Sequence, residues 1–259
     1  MRSLSVVIPA LNEAENIPAV IAAVPVARLR EAGWYTEIVI VDNASTDGTG
    51  DLAASLGAKV VHQPVRGYGN AYQAGFAAVS SDVIATGDAD RTYPFDALPE
   101  LLAQLDEHGA DFLTTNRLHA ANRRAMKASH FVANHVLSAT SRLLFGHSVR
   151  DSQSGMWVFR RAVWQKISVT APGMAFSQEI KNAAIRAGFR VREVPIEYRL
   201  RGGEVKLKAY SDGWSNLRSL FAHRMSLRKR GRDAVEREAE SAPTALTGAM
   251  ADYAPRTAD

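Results

Sequence analysis

The feature that most constrains the fold is a regular alternation of short apolar segments with helical segments over the first 90 residues. Residues 4–8 and 37–41 are β-branched and apolar on both faces, which is typical of strands buried in a parallel sheet. Two more predicted strands cover 58–63 and 82–86, and the predicted helices cover 13–32, 52–56 and 68–79. This pattern predicts a doubly wound α/β fold with helices on both faces of a mostly parallel sheet. Its ligands are expected beyond the carboxyl ends of the strands.

The second half of the chain is organised differently and contains a long helical region. A helix is predicted at 95–108, a strand at 111–115, a long helix at 124–145, and strands at 155–160 and 190–198 on either side of a helix at 176–187. The apolar stripe of the long helix is predicted to contain Met126, Phe131, Val132, Leu137, Leu143 and Leu144. Residues 228–259 carry too little apolar surface to offset the entropy of ordering, so a disordered tail is predicted there.

Cysteine content and charge exclude several classes of chemistry. The 259 residues include no cysteine, which rules out disulfides, thiolate metal sites and a cysteine nucleophile. The net charge of +4 is too small to predict nucleic-acid binding, and no nucleic-acid partner is expected. However, the 39 residues from Phe112 to Arg150 include six Lys or Arg and no acid, while the remainder of the chain carries a formal charge of −2. The whole positive excess therefore lies in one segment.

The chain carries no pattern of a targeting or membrane-spanning segment. The apolar run at 4–9 is too short for a signal peptide, and no window approaches the ~18 apolar residues that a membrane span requires. We expect a cytoplasmic protein, and peripheral attachment to the cytoplasmic membrane face stays open.

Acidic residues follow three of the predicted strands. Asp88 and Asp90 come directly after the fourth strand, and on an extended backbone residues i and i+2 point to the same side. Two carboxylates this close favour a cation between them, and Mg²⁺ or Mn²⁺ shared with a diphosphate suits such ligands. Asp42 ends the second strand and Glu13 follows the first. Each of these two could be an ordinary helix-capping acid, but acids at three strand ends together favour a nucleotide site with a metal.

Other nucleotide-binding signatures are absent. The loop after the first strand, residues 9–13, contains no glycine, so a dinucleotide pyrophosphate could not approach its backbone closely. Gly67-Tyr68-Gly69-Asn70 begins like the dinucleotide fingerprint but has Tyr72 at its sixth position, and no P-loop lysine is present. A dehydrogenase and a P-loop kinase are therefore disfavoured.

Several ordered motifs resemble those of the family 2 glycosyltransferases with the GT-A fold. They are VVIPALNEAENI, IVIVDNASTDGT, RGYGNAYQAGFAA, GDAD followed by YP, the DSQSG turn at 151–155, FSQE at 176–179 and RGGEVKL at 201–207. Within that family the chain is most similar to the polyprenyl-phosphate (dolichyl-phosphate) mannose and glucose synthase branch. The resemblance implies a single GT-A domain over 1–227. Its nucleotide-sugar-binding half would be 1–110 and its helical acceptor-side half 111–227.

The resemblance also implies the reaction and the donor site. It implies inverting transfer of a hexose from a nucleoside diphosphate sugar, with Mg²⁺ or Mn²⁺ as cofactor. On this basis Asp88 and Asp90 lie against the diphosphate and hold the metal, and Arg201 and Lys206 close over the phosphates, where cations neutralise the leaving group. The residues expected to bind the base and ribose are Pro9, Leu11, Glu13 and Asp42.

Two positions depart from the family pattern. Asn43 stands where many members have a second aspartate, which leaves the contacts to the base open. Thr92 stands where a glutamine often assists the metal, which predicts weaker metal binding or a water in that place.

The acceptor side offers two candidate bases and a group of cations. Asp151 and Glu179 match acidic positions in the family, and either could take a proton from a hydroxyl acceptor. A phosphate acceptor needs no strong base, because its oxygen is already ionised, but it does need cations. Arg117 matches an arginine that holds the acceptor phosphate in the synthase branch, and Arg124 and Lys127 follow it. The basic helix could also rest on anionic lipid.

Three functions are therefore compared. The first is transfer to a polyprenyl phosphate, and the second is the same transfer to a soluble hydroxyl acceptor such as a small metabolite. The third is a non-catalytic protein that binds nucleotide sugars. The presence of Asp88, Asp90, Arg201 and Lys206 argues against it.

Overall fold

A seven-stranded sheet forms the centre of the fold, in a computed structural model that describes residues 1–202, 214 and 216–225. The strands are β1 (Arg2–Ala10), β2 (Trp34–Asp42), β3 (Lys59–His62), β4 (Val83–Thr86), β5 (Phe112–Asn116), β6 (Trp157–Arg160) and β7 (Val191–Pro195). The helices up to residue 186 are α1 (Ile17–Ala23), α2 (Val26–Glu31), α3 (Thr49–Ser55), α4 (Tyr68–Ala77), α5 (Leu98–Glu107), α6 (Ala128–Phe145), α7 (Arg161–Lys166) and α8 (Phe176–Arg186).

The order of the strands creates the edge at which the site lies. The order is β3-β2-β1-β4-β6-β5-β7, with β1 parallel to both β2 and β4. The order reverses beside β1, and ligands bind at such a switch point. Strand β6 runs antiparallel to β4 and β5, so the turn that precedes β6 lies at the edge where β1 and β4 end. The predicted, mostly parallel α/β sheet is confirmed.

Apolar cores lie on both faces of the sheet. Leu4, Val6 and Ile8 of β1 point to the face covered by α1, α2 and α5, while Val7 points to the face covered by α4 and α8. The second face is rich in aromatic rings, with Tyr72 stacked on Phe176 at a centroid distance of 5.8 Å. Because side chains of β1 alternate between two buried faces, this strand has the apolar pattern on which the fold prediction was based.

Three helix predictions differ from the structure. The predicted helix over 13–32 is two helices, α1 and α2, with Pro25 between them, because proline has no N–H to donate. Helix α7 was not predicted, and α6 begins at Ala128 rather than near residue 124. The predicted apolar stripe of α6 was also wrong in part: Leu137 is buried, but Val132 and Leu143 are 61% and 86% exposed.

The chain divides into two compact units, Met1–Phe221 and Ala222–Asp259, and the fold above is that of the first. In the second unit, residues 222–225 are described and are helical. The predicted tail at 228–259 lies outside the described residues. The predicted domain over 1–227, with halves 1–110 and 111–227, stays a prediction.

Candidate active site

A cavity of about 210 Å³ lies at the carboxyl ends of β1 and β4. It contains six residues that the sequence predicts for the donor site, namely Pro9, Leu11, Glu13, Asp88, Asp90 and Arg201. The other described residues that line it are Ala10, Asn43, Gly67, Tyr68, Ala71, Ala89 and Met174. Asp42 lies outside this set, and Lys206 lies outside the described residues.

The two carboxylates after β4 are each held by a hydroxyl group. Tyr68 donates a hydrogen bond from Oη to Oδ1 of Asp88 at 3.1 Å. Burial, and then the charge of Asp90, raise the pKa of Asp88 to about 7. Thr92 donates to Oδ1 of Asp90 from both its hydroxyl, at 2.6 Å, and its backbone N–H, at 3.1 Å. Thr92, which departs from the family pattern, therefore orients a carboxylate that is predicted to bind metal.

The guanidinium of Arg201 lies between two acids of the cavity. Its Nη1 is 3.0 Å from Oδ2 of Asp90, and its Nη2 is 3.7 Å from Oε1 of Glu13. Its Nε is buried and has no hydrogen-bond partner among the described residues. An unmade hydrogen bond at a buried donor is costly, so this atom is a candidate contact for an anionic ligand.

Asp42 and Asn43 have different surroundings although they are adjacent. Asp42 accepts a hydrogen bond from the backbone N–H of Ser45 at 3.0 Å and lies 3.4 Å from Nδ1 of His62. Asn43 donates from Nδ2 to the carbonyls of Gln63 and Val65 and accepts from the N–H of Gly67 at 2.7 Å. An aspartate could not donate these bonds, so asparagine fits the loop that shapes the cavity.

The backbone at this edge is strained at three places. Asn12, Ala44 and Arg91 have φ values of 53°, 60° and 66°, a region that residues other than glycine seldom occupy. Each follows one of the strands β1, β2 or β4. Such strain is maintained where the surrounding structure over-determines the backbone, which is common at functional sites.

Arg117 and Asp151 form a buried ion pair beside this cavity. Arg117 donates from Nε and Nη2 to the two carboxylate oxygens of Asp151, at 2.8 and 3.0 Å, and its backbone N–H donates to Oδ2 as well. The Asp151 side chain is fully buried, and that of Arg117 is 9% exposed. Burial acts to raise the pKa of Asp151, but the charge and the hydrogen bonds of Arg117 lower it below its usual range.

Glu179 lies in the first turn of α8 and holds a loop. Its two carboxylate oxygens accept hydrogen bonds from the N–H groups of Thr170 and Ala171, at 3.2 and 3.0 Å. The same loop packs against α4, since Asn70 donates its N–H to the carbonyl of Pro172. Glu179 is outside the set of described residues that line the donor cavity.

The remaining predicted acceptor residues lie near a second cavity or on the surface. Arg124 lines a cavity of about 730 Å³ together with His119, Tyr198 and Arg199. Lys127 is exposed at the start of α6. The guanidinium of Arg117 lies 5.4 Å from the ring of Tyr198, which borders the second cavity. Arg117 therefore borders the second cavity through Tyr198, although it lines neither cavity itself.

The sequence reasoning missed Tyr68 and Lys181. Tyr68 was noted only within motifs, the failed dinucleotide fingerprint and the family motif RGYGNAYQAGFAA, and no local signal links it to Asp88, 20 residues away. Lys181 was not singled out, because a single lysine on a helix resembles an ordinary surface residue. Its burial depends on which face of α8 meets the sheet.

The donor cavity is suited to a divalent cation that is completed by its ligand. Among the described residues, no three His, Cys, Asp or Glu side chains meet as a protein-only metal site. Mg²⁺ commonly binds through one or two carboxylates together with substrate phosphates. Burial and the charge of Asp90 raise the pKa of Asp88, and a cation bound between the two carboxylates would favour their ionised forms. Asp88 and Asp90 therefore fit a metal shared with a diphosphate.

Sequence comparison identifies the family. The profile described as Glycosyl transferase family 2 matches residues 5–168. The chain belongs to glycosyl transferase family 2. This family 2 member is 37% identical over 223 residues to the low-salt glycan biosynthesis hexosyltransferase Agl6 of Haloferax volcanii, a match that covers 85% of this chain and 54% of that protein. The chain thus spans about half the length of that relative.

Two further matches, to a second relative and to a solved structure, cover a larger share of the matched protein. The dolichyl-phosphate hexose transferase of Haloferax volcanii is 32% identical over 210 residues, covering 81% of this chain and 89% of that protein. Glucosyl-3-phosphoglycerate synthase from Mycobacterium tuberculosis, solved with Mn²⁺, UDP and phosphoglyceric acid, has a TM-score of 0.65 and 26% identity, covering 87% of this chain and 78% of its own. The predicted family and GT-A-type fold are confirmed.

The part of this family 2 chain that the structure describes contains no helix that is long and apolar enough to cross a membrane.

Proposed function

We propose that the protein transfers a hexose, with inversion, from a nucleoside diphosphate sugar to a polyprenyl phosphate, with Mg²⁺ or Mn²⁺ at Asp88 and Asp90. A divalent metal in this place would stabilise the charge that develops on the leaving diphosphate. The similarity to a structure solved with Mn²⁺ and UDP supports the choice of donor and cofactor. The similarity to a dolichyl-phosphate hexose transferase supports the choice of acceptor.

On the donor side, Arg201 supplies a second positive charge. Its guanidinium is already between Asp90 and Glu13, and its buried Nε has no hydrogen-bond partner among the described residues. A diphosphate oxygen would satisfy this donor. Pro9, Leu11 and Glu13 are proposed to contact the base and ribose from the end of β1, together with Asn43. Asp42 does not line the cavity. It is proposed to affect binding of the base and ribose indirectly, by holding the loop at Ser45.

The surroundings of the two candidate bases favour a phosphate acceptor over a hydroxyl acceptor. The carboxylate of Asp151 is bound to Arg117, and its pKa is lowered, which makes it a weak proton acceptor. The carboxylate of Glu179 accepts two backbone hydrogen bonds. A hydroxyl acceptor needs a base that is within hydrogen-bond reach of its proton. A phosphate acceptor is already ionised, so it needs neither carboxylate as a base.

Arg117, Arg124 and Lys127 are proposed to bind the acceptor phosphate. Arg124 lines the second cavity and Lys127 is exposed at the start of α6, while Arg117 is buried against Tyr198, which borders the second cavity. Asp151 then has the role of holding Arg117, and Glu179 that of holding the loop at 170–172. Both remain candidate bases if the acceptor is a hydroxyl.

The test is a transfer assay with paired acceptors. The purified protein, with Mn²⁺ or Mg²⁺ and a panel of nucleoside diphosphate hexoses, receives either dolichyl or undecaprenyl phosphate in detergent, or a soluble phosphorylated alcohol such as 3-phosphoglycerate. Release of nucleoside diphosphate and formation of a glycolipid with inverted anomeric configuration are expected with the lipid phosphates. Transfer to the soluble acceptor alone would support the second function. Donor binding without transfer to any acceptor would support a non-catalytic protein.

Helix α6 is proposed to contact the membrane that holds such an acceptor. Its buried side contains Leu137, Ser138 and Ser141, whereas Val132, Val136 and Leu143 are 61%, 54% and 86% exposed. The exposed basic residues around it are Arg123, Arg124, Lys127, Arg142 and Arg150. An exposed apolar stripe flanked by cations, in a segment without acids, is complementary to anionic lipid. Each such cation contributes about 1 kcal/mol near an anionic surface.

Vesicle sedimentation tests this contact. Binding to vesicles with phosphatidylglycerol is expected to exceed binding to pure phosphatidylcholine and to fall with added salt. Val132→Asp with Leu143→Asp should abolish it. Leu56→Asp, on the exposed surface at the end of α3, is the matched control and should retain it. Equal binding to both vesicle types, or loss of binding in the control, would argue against α6 as the contact.

A further inference from the structure

Lys181 of α8 is a buried cation that holds one turn of the backbone. The residue is 1% exposed. Its Nζ donates hydrogen bonds to the carbonyl oxygens of Asp151, Ser152 and Ser154, at 3.2, 2.8 and 2.8 Å. An ammonium group has three donors, and here they match three acceptors of a single turn. The side chain is thus engaged at its charged end with residues 151–154.

A buried cation at this place needs a physical reason. Burial lowers the pKa of Lys181 to about 7, although the nearby charge of Asp151 acts to raise it. Burying a charge is costly unless it is well hydrogen-bonded. Apolar side chains on the buried side of α8, such as Ile180 and Ala184, pack in the core without this cost, and the other buried polar side chains of α8 carry no charge. Stability alone therefore does not explain a charged side chain at this position, and we look for its role in the turn that it holds.

The turn held by Lys181 links the donor and acceptor sides of the site. Asp151 begins the turn and binds Arg117. Gly155 ends it, and a Cβ added at Gly155 would lie 2.3 Å from Oη of Tyr68 and 3.2 Å from Oδ1 of Asp88. The turn thus touches the groups that hold the predicted metal at one end, and the predicted acceptor ligand at the other. A small displacement of it would change the position of Arg117 relative to Asp88.

The opposite side of the turn is also fixed. Gly155 donates its N–H to Oη of Tyr93 at 2.6 Å, and its carbonyl accepts a hydrogen bond from Oγ1 of Thr86 at 2.8 Å. These contacts fix the end of the turn that lies nearest β4. At the other end, Lys181 binds the carbonyls of residues 151, 152 and 154, and the Ser154 carbonyl also accepts from Nε1 of Trp157 at 2.6 Å. Removal of the ammonium would leave the carbonyls of Asp151 and Ser152 without this donor, so we expect residues 151–153 to loosen while Gly155 stays attached.

We propose that Lys181 is a positioning residue for transfer: by holding three carbonyls of the turn at 151–154, it sets the position of Arg117 and the acceptor relative to the donor site. This inference rests on the proposed function, because it takes Arg117 to be on the acceptor side. It assigns Lys181 no contact with substrate. Its effect is therefore expected in the acceptor parameters and in kcat, and not in donor affinity.

The experiment compares Lys181→Met and Lys181→Gln with Ile180→Ala, which removes packing from the same helix without touching the turn. Each variant is assayed at a temperature where circular dichroism shows it folded. Hydrogen exchange is measured for a peptide that covers 150–156, and kinetics are measured with polyprenyl phosphate. For Lys181→Met we expect faster exchange in this peptide and a fall in kcat/KM for the acceptor of about 10- to 100-fold. The Kd for nucleoside diphosphate with Mn²⁺ should stay within about twofold of the wild-type value.

The glutamine variant and the control make the outcome decisive. Lys181→Gln keeps two donors and should recover part of the lost activity. It also serves as the test if the methionine variant does not fold. Exchange at 150–156 that is unchanged in the lysine variants, or equal to that of Ile180→Ala, would overturn the inference, as would wild-type acceptor kinetics. If the wild-type protein transfers no sugar to lipid phosphate, the proposed function fails, while the exchange measurement still decides whether Lys181 holds the turn.

Discussion

Two groups of charged side chains lie at the same edge of the sheet and differ in how their negative charge is balanced. On the donor side, Asp88, Asp90 and Glu13 face a cavity with Arg201 as their cation, and the pKa of Asp88 is raised to about 7. On the acceptor side, Asp151 is fully buried with Arg117, and its pKa is lowered. The first group has three acids and one cation facing the cavity, and the second is a one-to-one pair neutralised within the protein.

This difference separates binding from positioning. A set of acids that lacks positive charge gains free energy when a cation arrives, so the donor side is suited to recruit a metal with its diphosphate. A buried, hydrogen-bonded pair has less to gain from a further ion, and it is costly to break. Charges of the second kind mainly fix geometry. On the proposed function, Arg117 therefore orients the acceptor phosphate, and the exposed cations near it supply the remaining positive charge. Four substitutions test this separation.

Arg117→Met should have the largest effect on stability. It leaves the Asp151 carboxylate buried without its partner, which typically costs about 3–5 kcal/mol. Urea unfolding followed by fluorescence measures this cost. The double variant Arg117→Met with Asp151→Leu should recover a substantial part of it, because no charge then remains buried. If Arg117→Met alone lowers the free energy of unfolding by less than about 1 kcal/mol, the pair behaves like a surface ion pair. The contrast between the two groups would then be wrong.

Asp90→Asn should have the largest effect on transfer. It removes a predicted metal ligand and half of the negative charge after β4. We expect kcat to fall by about 10²- to 10³-fold, with a loss of stimulation by Mn²⁺. Initial rates against metal concentration measure both. Glu100→Gln removes an exposed acid that pairs with Arg28 on α2 and is the matched control. A rate for Asp90→Asn within about threefold of the wild-type rate would show that Asp90 does not bind the metal.

Arg201→Gln should move metal and nucleotide affinity in opposite directions. Loss of a charged hydrogen-bond donor costs about 1.5–3 kcal/mol, so nucleoside diphosphate with metal should bind at least about tenfold more weakly. Metal alone should bind more tightly, because Arg201 no longer neutralises Asp90. Isothermal titration calorimetry resolves the two. Arg199→Gln, which removes a cation paired with Asp96, should change neither. Weaker binding of metal alone would show that Arg201 does not compete with it.

Asn43→Asp should have the smallest effect and reports on the shape of the donor cavity. The carboxylate cannot donate to the carbonyls of Gln63 and Val65, and leaving such groups unsatisfied costs about 1–3 kcal/mol. Both the free energy of unfolding and the KM for the donor should change. Asn134→Asp, on α6, is the control. If the Asn43→Asp variant were as stable as the parent, the loop at 63–67 would not depend on this amide.

The order of the elements was predictable because it depends on local patterns. Seven strands were predicted close to their observed positions, since runs of β-branched residues are recorded in the sequence itself. The break at Pro25 was missed although proline is a local signal. The exposed apolar face of α6 could not have been found, because periodicity identifies a stripe without showing which side meets the core.

The candidate site was predictable to the extent that it follows strand ends. Asp88, Asp90, Glu13, Pro9, Leu11 and Arg201 line one cavity. The partners of Arg117, Glu179 and Lys181 were beyond sequence reasoning, because each bond joins different elements. Arg117 and Asp151 are separated by 34 residues, and Lys181 reaches the turn from 27 to 30 residues away.

Local sequence was enough to specify the type of sheet, the acids at the strand ends and the one basic segment that holds the excess charge. These properties depend only on which residues are neighbours along the chain. The tertiary structure determines which charges face a ligand and which are neutralised inside the protein. That outcome depends on burial and on partners from distant elements: antiparallel β6 returns the turn at 151–155 to the edge where β4 ends, and α8 places Lys181 beneath it.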